Sequence, residues 1–155
     1  MALFTMPFAF TSCDGSGSDD GDPATDSRNT RIEVSFSGDY SMFSPTTGFY
    51  AFGLNGKGLK MQTSDGEKET NWNRMYDDAP YNTVSAEIND YFSTFNVSIV
   101  MMNYDNTEGS VAITGKVFHD GKLHRADVQQ IEFKPGMTAA VYTYDQNTGF
   151  TNTQY

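Results

Sequence analysis

Residues 64–82, SDGEKETNWNRMYDDAPYN, concentrate the side chains most able to hold a ligand. The only tryptophan of the chain, Trp72, lies among Asn71, Asn73 and Arg74, with Tyr76 and Tyr81 close behind. Aromatic rings stack on the apolar faces of sugar rings, while amides, guanidinium groups and the carboxylates of Asp77 and Asp78 hydrogen-bond the hydroxyls. The same mixture suits a protein interface, where Trp, Tyr and Arg dominate the binding energy. A third reading has Trp72 and Tyr76 folding back as amphipathic covers over the open end of a core. Read as one connection, the segment exceeds the roughly 12–15 residues beyond which a structureless loop is usually functional or disordered.

Other chemistry is sparser. His119 and His124 flank Asp120-Gly121. Counting back from that turn puts both imidazoles on one sheet face at diagonal positions, which supplies two of the three or four ligands that zinc or copper needs. No third ligand is evident, so no metal is expected. Serines, histidines and aspartates are present without a Gly-x-Ser-x-Gly elbow to organise them. Asp77, Asp78, Glu87 and Asp105 could be paired on paper as glycosidase carboxylates, yet that mechanism depends on a separation that spacing does not encode. Gly53, Gly56 and Gly58 lack the Gly-Lys-Ser/Thr and the following helix of a phosphate loop. No catalytic residue and no cofactor is expected.

Charge narrows the partners. The 155 residues carry 20 acidic and 10 basic side chains, a formal charge of −10. Phosphate recognition rests on clustered Lys and Arg, so a nucleic-acid surface is excluded. A single cysteine, Cys13, excludes an intrachain disulfide framework and a multi-cysteine zinc site. The length suits one domain, and an aromatic share of 14% argues against wholesale disorder.

The elements that must position these groups are strands. Ile32, Val34 and Phe36 alternate with Glu33, Ser35 and Ser37, the period of a half-buried strand. Asn55-Gly56 predicts a type I′ hairpin whose core face carries Tyr50, Phe52, Leu59 and Met61. Val84, Ala86 and Ile88 form one inward row and Phe95, Val97, Ile99 and Met101 another; these two strands are expected to pair. Asp120-Gly121 predicts a second hairpin, opposing Val117 to His124 and Gly115 to Ala126, with Ile113, Val117 and Val128 on one face and a bulge at Gln129-Gln130-Ile131. A further strand is expected over residues 138–144 and a short edge strand or frayed tail after it. Any helix would be one short piece within residues 71–78. Strands recurring between turn signals predict an all-β domain, an antiparallel β-sandwich of about seven to eight strands. A small meander β-barrel is the alternative, disfavoured because residues 64–82 read as a crossover.

The N-terminal residues supply an address. Residues 1–12, MALFTMPFAFTS, are apolar and uncharged, too short to span a bilayer but long enough for a secretory apolar region. The basic residues that should precede that region are missing, as a start codon placed too far downstream would explain. Residues 14–27 read DGSGSDDGDPATDS, a composition that cannot bury enough apolar surface to order itself. Within it, Asp19-Asp20-Gly21-Asp22 lacks the alternating ligands and distal Glu of a calcium loop.

TSC followed by DGSGSDDGD resembles the lipidation cysteine and acidic export tract of surface lipoproteins from Bacteroidota. That resemblance implies that Cys13 becomes the acyl-bearing N-terminus and that Asp19, Asp20 and Asp22 belong to an outer-leaflet sorting signal. Residues 114–133, TGKVFHDGKLHRADVQQIEF, are similar to the closing hairpin of small immunoglobulin-like domains in such lipoproteins, without the cysteine pair and core Trp of antibody domains. The expected layout is a signal-peptide-like segment at 1–12, a disordered acidic tether at 13–30 and a β-sandwich at 31–155. The expected role is non-enzymatic recognition or assembly at the cell envelope, on the outer membrane and surface-exposed, with a protein or glycan as ligand. A carbohydrate-binding module centred on Trp72, Tyr76 and Tyr81 is the second reading, and a small secreted hydrolase or protease inhibitor the third.

Overall fold

A computed structural model of the chain describes residues 29–75 and 81–152. The alternation read from the sequence becomes the core. In β1 (Thr30–Gly38) Thr30, Ile32, Val34 and Phe36 are buried, with Arg31, Glu33 and Ser35 half-buried between them. After a 3-10 turn at Tyr40–Phe43 come β2 (Thr46–Phe52), β3 (Lys60–Thr63), β4 (Gly66–Glu69) and β5 (Asn71–Met75). Then follow β6 (Thr83–Ile88), β7 (Thr94–Met102), β8 (Gly109–His119), β9 (Lys122–Phe133), β10 (Ala139–Asp145) and β11 (Gly149–Asn152). They form two antiparallel sheets ordered β4-β3-β6-β1-β8-β9 and β11-β10-β7-β2-β5. Val84, Ala86, Ile88, Val111, Ile113 and Val117 join β1 on one inner face, and Phe49, Ala51, Phe95, Val97, Ile99 and Met101 come from the other sheet. Neither sheet closes on itself, so the fold is the sandwich and not the barrel.

Partner choice departs from the sequence expectation. Among the described residues, consecutive strands pair with each other at β3–β4, β8–β9 and β10–β11. β6 and β7 do not pair: β6 lies between β3 and β1, while β7 lies between β10 and β2 in the opposite sheet. Alternation fixes which face a strand buries, and two rows can meet across a core as readily as side by side.

The Asn55-Gly56 turn forms, but not the hairpin counted from it. A type I′ turn needs positive φ at both central residues, and here Gly56 has φ +72° while Asn55 is not among the left-handed residues. The loop is longer, closed by Gly53 N–H donating to the Lys57 carbonyl at 2.8 Å. A single bridge then pairs Phe52 with Gly58 instead of Leu59, and β3 leaves for the other sheet. This one-residue difference accompanies a reversal of β2, which sends Phe49 and Ala51 into the core and leaves Tyr50 and Phe52 half-buried outside it.

The Asp120-Gly121 hairpin does form, with both residues at positive φ. Its bulge, however, lies at His124 and not at Gln129-Gln130-Ile131. The ladder runs His119 to Lys122 and Phe118 to Leu123, then jumps to Val117 opposite Arg125 and Gly115 opposite Asp127. The extra residue inverts every side chain beyond it, so Val128 points outward, 61% exposed, and Arg125 and Asp127 turn toward the inner side.

Residues 64–82 are the largest correction to the element count. They contain β4 and β5, and the strands among the described residues number eleven against the seven or eight expected. The short helix expected within residues 71–78 is strand at Asn71–Met75. Helical backbone occurs at Tyr40–Phe43, where the turn delivers Phe43 into the core against Phe133, ring centroids 3.9 Å apart.

Both passages from β2 to β3 and from β4 to β5 change sheets, and they cross at one point. Ala51 N–H donates to the Thr70 carbonyl (2.9 Å), Thr70 N–H to the Leu59 carbonyl (2.8 Å) and Leu59 N–H to the Ala51 carbonyl (3.1 Å). Thr70 sits there at φ +60°, a conformation costly for a β-branched residue. Gly58 lies so close that an added Cβ would fall 1.7 Å from Thr70 Oγ1. Gly58→Ala is therefore expected to cost at least about 1–3 kcal/mol, as overpacking does, read as a lowered Tm. Adding Thr70→Gly should restore much of the loss, because it removes both the clash and the strained φ. A Gly58→Ala protein that melts like wild type would mean the two passages do not touch.

Candidate functional site

Residues of the expected aromatic platform fall on opposite sides of β5. Trp72 pairs with Phe49 across β2 and β5 and stacks on it inside the core, with centroids 5.5 Å apart and the indole 6% exposed. Tyr81 is 7% exposed. Its hydroxyl lies 3.0 Å from the carbonyls of both Pro45 and Arg74 and 3.3 Å from Thr47 Oγ1, which ties the edge strand β5 to the start of β2. Arg74 pairs with Asp65 and places its guanidinium 5.4 Å from the Tyr81 ring centroid. Asn71 and Asn73 point the other way, exposed on the outer face. Stacking a sugar needs an open ring face, and neither Trp72 nor Tyr81 presents one. Tyr76, Asp77 and Asp78 lie outside the described residues, as do Cys13, Asp19, Asp20 and Asp22.

The two histidines do meet, ring centroids 4.5 Å apart, with His119 Nδ1 3.0 Å from Thr30 Oγ1. Among the described residues, no three His, Cys, Asp or Glu side chains converge as metal ligands. No helix among the described residues is long and apolar enough to cross a membrane.

The bulge at His124 creates a cluster that the sequence register hid. Arg125 grips Asp127 with two hydrogen bonds, Nε to Oδ2 at 2.5 Å and Nη2 to Oδ1 at 3.0 Å, and donates from Nη1 to the Asn147 carbonyl at 2.8 Å. Tyr144, wholly buried, donates its hydroxyl to Asp127 Oδ2 at 3.1 Å. Its ring fits only because position 115 is glycine, where a Cβ would come within 2.5 Å of the ring. The cluster fastens the free edge of the six-stranded sheet to the β10–β11 turn of the other. The Arg125 hydrogen bond holds the Asp127 carboxyl below its ordinary range against the opposing effect of burial, with help from the Tyr144 hydroxyl. Burial, followed by the bond to Asp127, pushes the Tyr144 phenol well above its ordinary value. The same hydrogen bond to Asp127 raises Arg125. With every polar partner in place, the cluster acts as a clasp.

Open space lies elsewhere, beside the Gly58–Thr70 crossing. The loop at residues 53–59, the outer face of β4, β3 and β6, and the start of the β6–β7 arch line a cleft of about 800 Å³. Two large apolar side chains stand in water on its rim: Leu54, 61% exposed, and Tyr91, 50% exposed. Around them, Lys60 Nζ bonds Glu67 Oε1 at 2.7 Å, Glu87 Oε1 accepts from Asn29 Nδ2 at 2.6 Å, and Asp90 Oδ1 accepts from Tyr91 N–H at 2.7 Å. The hydrogen bond that Lys60 donates to Glu67, and the Glu67 charge, raise the pKa of the ammonium above its ordinary value. Neither Leu54 nor Tyr91 was singled out by the sequence. The signal available was a bulky apolar residue inside a turn, next to Asn55-Gly56 in one case and Asn89-Asp90 in the other.

No family model and no curated protein matches the sequence. Solved structures do match the fold. A DUF4425 family protein from Bacteroides ovatus superposes with a TM-score of 0.65 at 14% identity, covering 78% of this chain and 97% of that one. A DUF4425 domain from Bacteroides vulgatus gives 0.60 at 13% identity, covering 83% and 96%. The calcium-bound form of a protein from Parabacteroides distasonis gives 0.54 at 16%, covering 88% and 98%. At these identities the likeness establishes a shared fold.

The clasp yields a signed pH dependence. A carboxyl whose folded pKa lies below its unfolded one contributes stability above the unfolded value and loses it as pH falls through the folded one. Asp127→Asn is expected to lower Tm at neutral pH and to flatten the fall in Tm below pH 3.8, the carboxyl's ordinary value. The raised Tyr144 phenol acts at the other end, and its contribution is lost as pH climbs past 10.0. Thermal melts of both proteins across the acid range decide the point: coincident curves would remove any energetic role for the clasp.

Proposed function

We propose that the chain is a lipid-anchored β-domain of the cell envelope with a non-enzymatic recognition or assembly role. The observation that carries this reading is the order of its parts. Cys13 is followed at once by an acidic Gly/Ser/Asp tract, and the first strand among the described residues begins at Thr30. In this reading Cys13 bears the acyl groups, and Asp19, Asp20 and Asp22 direct the protein to the outer leaflet. Stable anchoring takes more than one acyl chain, which a lipoprotein-type cysteine provides, so no membrane-crossing element is required. Structures of the same fold from Bacteroides and Parabacteroides agree with the Bacteroidota origin suggested by the resemblance, and with nothing finer.

The recognition role is supported by what the scaffold presents. A large open cleft among the described residues lies at turns that a rigid double sheet holds in place. Calcium, named for the Parabacteroides distasonis protein, is not carried over, because no set of carboxylates among the described residues would hold it.

Intact mass spectrometry of the N-terminal peptide from native membranes, together with protease shaving of whole cells, tests the address. The expected result is a peptide that begins at acylated Cys13 on a protein lost upon shaving. An unmodified N-terminus recovered from a soluble fraction would overturn it.

A further inference from the structure

The cleft beside the crossing has the composition of a sugar site. Small-molecule sites commonly occupy about 300–1,000 Å³ and combine apolar walls with a few convergent polar groups; this one is about 800 Å³. Tyr91 offers a half-exposed aromatic ring and Leu54 a second apolar surface. Gln62, Glu69 and Asn89 also line the space, and their side chains make no hydrogen bond among the described residues. Amides donate and accept at once, and a carboxylate accepts from two neighbouring hydroxyls. This is what a ring bearing hydroxyls on its edge and C–H groups on its face requires.

Charge selects among sugars. Four lining carboxylates, Glu67, Glu69, Glu87 and Asp90, oppose two lysines, Lys57 and Lys60, on a chain whose formal charge is −10. Lys60 is already held by Glu67. Uronates, sulfated sugars and phosphates are repelled by such a surface, whereas neutral hydroxyls are not. We propose that the cleft bounded by Leu54 and Tyr91 binds a neutral oligosaccharide. The proposal rests on the recognition reading above and names its ligand class. It also moves sugar binding away from Trp72 and Tyr81, whose rings are buried.

Amide-resolved NMR titration of the full chain tests this with cellohexaose, maltohexaose, mannohexaose and xylohexaose, with oligogalacturonate and oligolysine as charged contrasts. At least one neutral hexasaccharide should shift amides confined to residues 53–62 and 87–91. Its affinity should hold between about 0.05 and 0.5 M salt, because no charge pairing is screened. Tyr91→Ala should weaken it by about tenfold or more, as loss of a stacking ring does. Gln62→Ala, an exposed strand position, should weaken it several-fold with an unchanged melting curve. No shift with any neutral sugar, shifts elsewhere on the protein, or a Tyr91→Ala protein that binds normally would each overturn the proposal. Binding of oligolysine alone, lost as salt rises, would overturn it too and assign the cleft to a basic protein segment. The titration needs no membrane, so its failure is separable from that of the anchor: an acylated chain blind to sugars sinks only the cleft proposal, and an unacylated chain that binds sugar sinks only the address.

Discussion

Two segments of chain must pass between the sheets at one corner, and they pass through Gly58 and Thr70. Only a residue without Cβ fits against the Thr70 side chain, and the left-handed Thr70 gives its carbonyl to Ala51 and its N–H to Leu59. Strain of this kind costs on the order of 1–3 kcal/mol and persists where surrounding contacts over-determine it. Here the three-way hydrogen bonding and the burial of Ala51 and Met61 on either side of the corner supply that determination. Much follows from the crossing. It sends β3 and β4 to the edge of the six-stranded sheet, places β5 on the edge of the other, and leaves the loop at residues 53–59 standing over the outer face as one wall of the cleft.

At the far edge a polar device does the work that the corner does through the backbone. β9 is the edge strand beside β8, and its inner row changes from Ile131 and Phe133 to Arg125 and Asp127. Charges on an inner row are costly unless paired. They are paired here with each other, with Tyr144 and with the Asn147 carbonyl, and all four lie where the edges of the two sheets come together. The domain is thus fixed by a hydrogen-bonded crossing at one corner and an ion-paired clasp at the other edge, with continuous apolar rows between.

What was legible in the sequence was what depends on one strand alone. Ile32, Val34 and Phe36, or Phe95, Val97, Ile99 and Met101, announce their buried face by alternation, and every one of these residues is buried. Asp120-Gly121 announces its hairpin because both residues tolerate positive φ. Pairing is a property of two strands and a core, so the arch between β6 and β7 carried no mark that set it apart from a hairpin. The bulge at His124 was hidden because one extra residue in a ladder leaves the composition unchanged while reversing Arg125, Asp127 and Val128. Trp72 was open to two readings, a ligand platform and a cover folded onto the core, and its burial fits the second. Set among Asn, Arg and Asp it reads as a surface residue, yet period two alone, with Asn71 and Asn73 on either side, is the pattern of a strand that buries its tryptophan. The cleft was invisible because Leu54 and Tyr91 are far apart in the chain and are brought to one space by the crossing.

Native-state hydrogen exchange at the amides of Ala51, Leu59 and Thr70 tests most directly whether that crossing is the rigid point on which the sandwich and its cleft depend. These three N–H groups make the corner's hydrogen bonds and nothing else reports on them as closely. Exchange governed by global unfolding, at the same opening free energy as the central amides of β1 and β7, is the result expected. Exchange at loop-like rates while those central amides stay protected would show a corner that opens by itself, and would contradict a cleft preformed by the fold.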